Sequence, residues 1–293
     1  MAAAVWAAPV SFTRDDARLA YDTAARFVAE CTPRDAGTKE GRRAAEWICS
    51  AAKKAGAAAN VDRFFALDRG NLLSFANVTA EFPGTDTNAD WVVFISHFDT
   101  MPGIGGGFQG ANDGASTTGL LVALAGAVRR AGRARENVML AWTDAEERIP
   151  SYGRREGFYG SRRLVDRLAA KKRKVKAAVC LDMLGDRDLL IFVPGNGTQS
   201  LRLLAQRAAS DAGVPHALSL RDALIVSDDH TPFLEAGCPA VDLIDFDYGS
   251  LPGLNNYWHT PLDTIDKISP ESLHVSGRIA AAMLNLLAAP ADR

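Results

Sequence analysis

His97, Asp113, Glu146, Glu147, Asp182 and His259 are imidazole and carboxylate residues scattered over most of the chain. Most of them follow a short apolar run. Val92–Ile95 leads into Ser96 and His97, Val138–Trp142 leads to Asp144–Glu147, and Val179–Leu181 leads into Asp182. Runs of that kind read as buried strands, and open α/β sheets bind ligands outside the carboxyl ends of their strands. Several strands therefore aim metal-type donors at one rim. A mixed His/Asp/Glu set suits zinc with an open coordination position for chemistry.

Single motifs have plainer readings. His97 and Asp99 lie two apart at a strand end, so both can face one side. That allows an imidazole whose other nitrogen is held by a carboxylate, although a buried histidine with its aspartate would look the same. Asp113, among small residues in Gly110–Ser116, could simply cap the next helix. Glu146–Glu147 is more specific: adjacent side chains point apart, so one can bind metal while its neighbour stays free as a general base. Ser227–His230 and Tyr257–Thr260, followed by Asp263, read singly as a capped turn and an aromatic packing loop. Together these positions are hard to dismiss as structural.

The elements that must position them alternate. Helices are expected at Thr13–Glu30 and Lys39–Gly56, then strands at Val61–Phe65 and Leu72–Glu81. The strand Trp91–Ser96 precedes a helix at Ala115–Arg130, Asn137–Thr143 precedes one at Ser161–Ala170, and Lys176–Leu181 precedes an antiparallel piece at Asp188–Val193. A helix at Thr198–Ala212, the segments His216–Leu220 and Thr231–Ala236, a strand at Ala240–Ile244 and a helix from Ser269 to Leu287 complete the chain. Such alternation predicts a three-layer α/β/α sandwich with a mixed, mostly parallel central sheet. Residues 13–293 read as a single catalytic domain. Residues 1–12 read as a signal-peptide remnant or a disordered N-terminus, because Met1–Pro9 has small residues before a potential cleavage point but lacks a basic start. The first reading implies a periplasmic or secreted protein, the second a cytoplasmic one.

Composition excludes other classes. The 293 residues are 47% hydrophobic and 23% charged, with a formal charge of −2, so nothing favours nucleic acid as a partner. No stretch is long and apolar enough to span a membrane. Lys171–Lys174 reads as a solvated helix end. Gly105–Gly110 matches GxGxxG, but the helix starts too late and no acidic residue follows for a ribose, so a glycine loop leading to Asp113 fits better. Of the four cysteines, Cys180 and Cys238 lie in or beside apolar strands and read as free thiols. Cys31 and Cys49 could pair in an oxidising compartment.

In order and combination, Ser96–Asp99, Gly110–Ser116, Asp144–Glu147, Tyr159–Arg162, Leu181–Asp182, Asp228–Phe233 and Trp258–Thr260 resemble the zinc aminopeptidases with a co-catalytic metal pair, and within them the glutaminyl cyclases. The resemblance implies that Asp113, Glu147 and His259 hold the main zinc, tightly. His97 and Asp182 match the ligands of a second zinc, with Asp113 bridging. One zinc suffices in cyclases, so the metal count stays open. Glu146 matches the general base and Asp182 a member of a proton-handling network. Asp228 stands where cyclases have a substrate-binding carboxylate and aminopeptidases commonly have serine, and Trp258 precedes the ligand His259 as in cyclases. Against the animal cyclases, Asp242 replaces a histidine, Tyr152 stands near a pocket tryptophan, and no cysteine follows Ser96. The implied function is formation of pyroglutamate from N-terminal glutamine of peptides or proteins, with release of ammonia. A zinc aminopeptidase is the runner-up. A silent binding module on the same fold is a third reading, which the complete ligand set and Glu146 disfavour.

Overall fold

The computed structural model describes residues 8–86, 88–147 and 157–288. The chain begins with α1 (Arg14–Cys31) and α2 (Lys39–Lys54), then the hairpin β1 (Ala59–Asp68) and β2 (Asn71–Phe82). The alternating part follows: β3 (Trp91–His97), α3 (Thr117–Ala131), β4 (Asn137–Thr143), α4 (Tyr159–Ala170), β5 (Val175–Asp182), β6 (Ile191–Pro194) and α5 (Gln199–Asp211). It closes with β7 (Leu218–Arg221), α6 (Thr231–Glu235), β8 (Ala240–Ile244) and α7 (Pro270–Ala288).

The eight strands form one sheet in the order β1-β2-β4-β3-β5-β8-β6-β7. Its centre, β4-β3-β5-β8, is parallel, while β2 and β6 run antiparallel to their central neighbours. Strand side chains alternate between faces, and the core divides accordingly. Val92, Phe94, Val179 and Val241 pack with α1, α2, α3, α5 and α7 on one face. Val93, Ile95, Ala178 and Ala240 pack with Leu164 and Leu168 of α4 and Phe233 of α6 on the other. The expected three-layer sandwich is therefore the fold, with four parallel strands pointing their carboxyl ends at one rim.

Several local features differ from expectation. The packed chain starts before residue 13: Val10 and Phe12 are buried, and the backbone N–H of Val10 donates to Asn285 Oδ1 of α7 at 2.9 Å. Thr13 caps α1 reciprocally with Asp16, as a capping box does. The wound chain ahead of α3 begins at Ala111 rather than Ala115, as a wide turn over Ala111–Ser116. The basic run does end α4 in solvent as expected, with Lys171, Lys172 and Lys174 exposed, and in addition Arg173 pairs with Glu81 at 2.7 Å. All four cysteines are free, so Cys31 and Cys49 are not bridged. Among the described residues no helix is long and apolar enough to cross a membrane.

Helices α1 and α3 approach through a residue without a side chain. A Cβ on Gly119 would lie 2.2 Å from the backbone oxygen of Ala20. Backbone cannot rotate away as a side chain can, so Gly119→Ala must push the helices apart. We expect a loss of about 1–3 kcal/mol, read as a lowered melting temperature at about 2–4 °C per kcal/mol. An unchanged melting temperature would show that the two helices are not so closely seated.

Candidate metal centre and its cavity

Each chemistry-bearing residue sits where a strand ends or a loop crosses the rim. His97 is the last residue of β3 and Asp182 the last of β5. Glu146 and Glu147 follow β4 through Ala145, which has φ 65°. A left-handed alanine is strained, and such strain persists only where the surroundings impose it. Here they do. The N–H groups of Glu146 and Glu147 both donate to the carboxylate of buried Asp99, each at 3.1 Å. On the other side the N–H of Ala76 in β2 donates to Asp144 at 2.8 Å.

The expectation that Asp99 holds the second nitrogen of His97 needs correction. The separation is 3.7 Å, and Nδ1 of His97 has no hydrogen-bond partner. Asp99 spends its oxygens on the two amides of the glutamate turn instead. Nor does Asp113 cap a helix. It lies within the wide turn at φ −80° and ψ 94°, next to Gly114 at φ 88°. Gly114 passes so close to His97 that a Cβ would meet its Cε1 at 3.0 Å. The N–H groups of Asn112 and Asp113 donate to Asp263, at 2.8 and 3.2 Å.

The result is two adjoining groups of donors. Asp113, Glu147 and His259 bring one ligand atom each within 4.8 Å of one another, and so do His97, Asp113 and Asp182. His259 Nε2 lies 3.0 Å from Glu147 Oε2 and 3.4 Å from Asp113 Oδ2. His97 Nε2 lies 3.1 Å from both Asp113 Oδ1 and Asp182 Oδ1. Asp113 thus stands between the groups, an oxygen toward each. Glu146 also comes within 4.8 Å of His97 and Glu147 but belongs to neither group.

Burial makes this arrangement electrostatically costly. It drives the pKa of Glu147 well above the usual carboxylate range, with Asp113 adding to the shift. It does the same for Glu146, with the like charge of Glu147 adding to the shift. Asp113 is pushed the other way: burial opposes ionisation, but the neighbouring imidazoles of His259 and His97 outweigh it. For His97 burial opposes the proton, and Asp113 and Asp182 at Nε2 raise its pKa well above the usual imidazole range. Asp113 Oδ2 is buried without a hydrogen bond. An orphaned oxygen, crowded carboxylates and two imidazoles are what a divalent cation would satisfy, so the donor set fits zinc.

A cavity of about 440 Å³ opens beside these groups. Asp113, Glu146, Glu147, Asp182 and His259 line it together with Asp228, Trp258 and Phe246. Trp258 stacks on His259 with ring centroids 4.0 Å apart and leans on Phe246 at 5.3 Å. Burial, then Asp182, raises the pKa of Asp228 to about 7. Asp242 lies directly behind, buried, and is not a cavity residue. Tyr152 lies outside the described residues.

Sequence reasoning missed Arg34. Fully buried in the loop after α1, it donates to the backbone oxygens of Phe98 at 2.5 Å, Gln109 at 2.7 Å and Gly110 at 2.6 Å, with Phe27 beneath its guanidinium. It joins the segment after His97 to the segment before Asp113. Asp263 likewise shows no role in the sequence, yet it accepts from Tyr248 as well as from Asn112 and Asp113. No local pattern flags either residue, since the rim backbone groups they hold lie more than 60 positions away.

Comparisons with known proteins place the chain in a family and match its fold. The model of "Peptidase family M28" matches residues 77–284. The chain is 27% identical over 259 residues to a glutaminyl-peptide cyclotransferase-like protein of Bos taurus, covering 76% of this chain but only 63% of that protein. It is 31% identical to a solved glutaminyl cyclase from an Acidobacteriales bacterium, with a TM-score of 0.86 over 98% of this chain and 99% of the other. A Zn-dependent exopeptidase from Parabacteroides distasonis, 21% identical with a TM-score of 0.78 over 96% of this chain and 99% of that one, shares the fold.

The Asp99 amide contacts give a test. Asp99→Ala frees the turn that aims Glu146 and Glu147 and should weaken zinc binding about 10–100-fold, measured against a competing chelator. Asp99→Asn, which keeps one accepting oxygen, should fall between. Wild-type affinity in both variants would show that the turn holds its shape without Asp99.

Proposed function

The chain belongs to peptidase family M28, and from that premise we propose that it is a zinc-dependent glutaminyl-peptide cyclotransferase acting on N-terminal glutamine of peptides. The observation that carries this reading is the carboxylate of Asp228, which shares one cavity with Glu146, Trp258 and the Asp113–Glu147–His259 group. The likeness to a solved glutaminyl cyclase over nearly the whole chain supports it.

Asp113, Glu147 and His259 would hold the zinc, which when bound would polarise the substrate's γ-amide carbonyl; His97 and Asp182, with Asp113, would offer a weaker second place. Glu146 lies beside that carbonyl's place without joining the donor group. It takes a proton from the substrate α-amine and returns it to the departing amide nitrogen. The α-nitrogen bonds to the γ-carbonyl carbon, the bond from that carbon to the amide nitrogen breaks, and ammonia leaves. Asp228 accepts a hydrogen bond from the substrate's polar hydrogens and holds the ring-forming pose, so the attack is intramolecular. Asp182, 3.1 Å from His97 Nε2, joins the proton-handling groups. Trp258 and Phe246 wall the cavity and limit water.

A zinc aminopeptidase is the second reading, favoured by the completeness of the His97–Asp113–Asp182 group. Glu146 would then deprotonate a water that attacks the first peptide bond. Both reactions ask the same of Glu146, so they share one test of it. Chelation should abolish turnover and added zinc should restore it. Glu146→Gln should keep zinc while turnover falls roughly 100-fold or more, whereas Glu147→Gln should loosen the metal itself. A Glu146→Gln enzyme of normal rate would mean that another group moves the proton.

Substrate choice separates the readings. Gln-peptides should release ammonia and yield pyroglutamate, and Asp228→Ala should lose that activity while retaining zinc. Rapid release of leucine from Leu-peptides, with no ammonia from Gln-peptides, would make the protein an aminopeptidase.

A further inference from the structure

Strands β5 and β8 are parallel neighbours, with Cys180 directly beside Asp242 and Asp182 beside Ile244. Alternate residues share a face, so Ala178, Cys180 and Asp182 form one row and Ala240, Asp242 and Ile244 the next. Asp182 ends its row at the cavity. Cys180 and Asp242 lie one step deeper, 1% and 0% exposed. The loop residue Asp228 closes over them, with Cys180 Sγ donating to its Oδ2 at 3.4 Å. The sulfur and one oxygen from each carboxylate all lie within 4.8 Å of one another. Neither oxygen of Asp242 has a hydrogen-bond partner among the described residues.

We propose that Cys180, Asp228 and Asp242 form a separate site for a thiophilic divalent cation, zinc or cadmium, and that filling it withdraws Asp228 from the substrate cavity. The donor chemistry selects the ion. A thiolate prefers zinc and its heavier relatives over magnesium or calcium. Around a tetrahedral zinc with sulfur at about 2.3 Å and oxygen at about 2.0 Å, ligand atoms stand roughly 3.3–3.8 Å apart. The Cys180–Asp228 separation of 3.4 Å already falls in that range. Binding forms one sulfur–metal and two oxygen–metal bonds, and the thiol and carboxyl protons pass to solvent. The entry path is the cavity, because Asp228 is both its wall and a ligand. Occupation of this lower site is inhibitory under the proposed function, since the substrate loses its carboxylate partner.

The test is a cadmium chloride titration of the zinc-loaded enzyme, followed by the ultraviolet absorption of a cadmium–thiolate bond. One equivalent of cadmium should produce the band in the wild type and in Cys238→Ser but not in Cys180→Ser. Serine keeps a hydroxyl donor to Asp228, so that variant should fold and turn over as the wild type does. Asp242→Asn should shift the midpoint about tenfold and serves alone if Cys180→Ser does not fold. In parallel, cadmium should lower kcat/KM for Gln-peptides about tenfold or more in the wild type and not in Cys180→Ser. No band in the wild type, or a band that survives Cys180→Ser, overturns the site. Equal inhibition of both proteins overturns its link to Asp228. The optical result stands even if Gln-peptides prove not to be substrates, so the two readings fail separately.

Discussion

Buried carboxylates repel one another, and the rim of this sheet collects them. Asp99, Asp113, Asp144, Glu147, Asp182, Asp228, Asp229 and Asp263 are all buried there, with Arg34 and the imidazoles of His97 and His230 the buried cationic or titratable bases nearby. An unpaired charge in such a place costs several kcal/mol or shifts its pKa until it neutralises. The carboxylates meet that constraint in different ways. Asp99 and Asp263 are carried by backbone amides. Asp228 and Asp229, raised to about 7, sit where a proton can stay on. Asp113 and Glu147 have neither remedy in full, which is the electrostatic reason this part of the rim calls for a cation.

The same hydrogen bonds also set the geometry. A metal site needs donors from distant loops held to a fraction of an ångström, and loops alone do not provide that. Three buried groups tie them here. Asp99 joins the end of β3 to the glutamate turn after β4. Arg34 joins the segment after His97 to the segment before Asp113. Asp263 joins the Asp113 turn to the loop that follows His259. Each loop that carries a donor is thereby fastened to another loop that carries one. The glutamate turn is anchored a second time from β2, where Asn77 accepts from Asp144 N–H and donates to Gly160 O.

The extent to which this was legible in the sequence follows from range. The central strands are apolar runs with punctuation at both ends, so Asn137–Thr143 and Ala240–Ile244 are read to the residue. The metal-type residues stand out because they break those runs. What the sequence hides is the layer behind them. Arg34 looks like any loop arginine, and only its burial under Phe98, Gln109 and Gly110 gives it a task. Asp99 is legible as a partner for His97 because the two are neighbours. Its actual partners lie 47 and 48 positions on, at a turn whose shape depends on a left-handed alanine. Local pattern finds the donors; it cannot find what aims them.

Glu146 and Glu147 show why that aiming matters for function. Two adjacent glutamates at the end of an extended strand would point to opposite faces, and only one would reach the rim. The left-handed Ala145 turns the backbone before them, and Asp99 draws both amides to one side. Both side chains then reach the cavity from neighbouring positions. One can be committed to a cation while the other keeps its oxygens free for a proton, an arrangement an ordinary strand end could not supply. The different placement of the two carboxylates is therefore a property of the turn rather than of the residues, which are chemically identical.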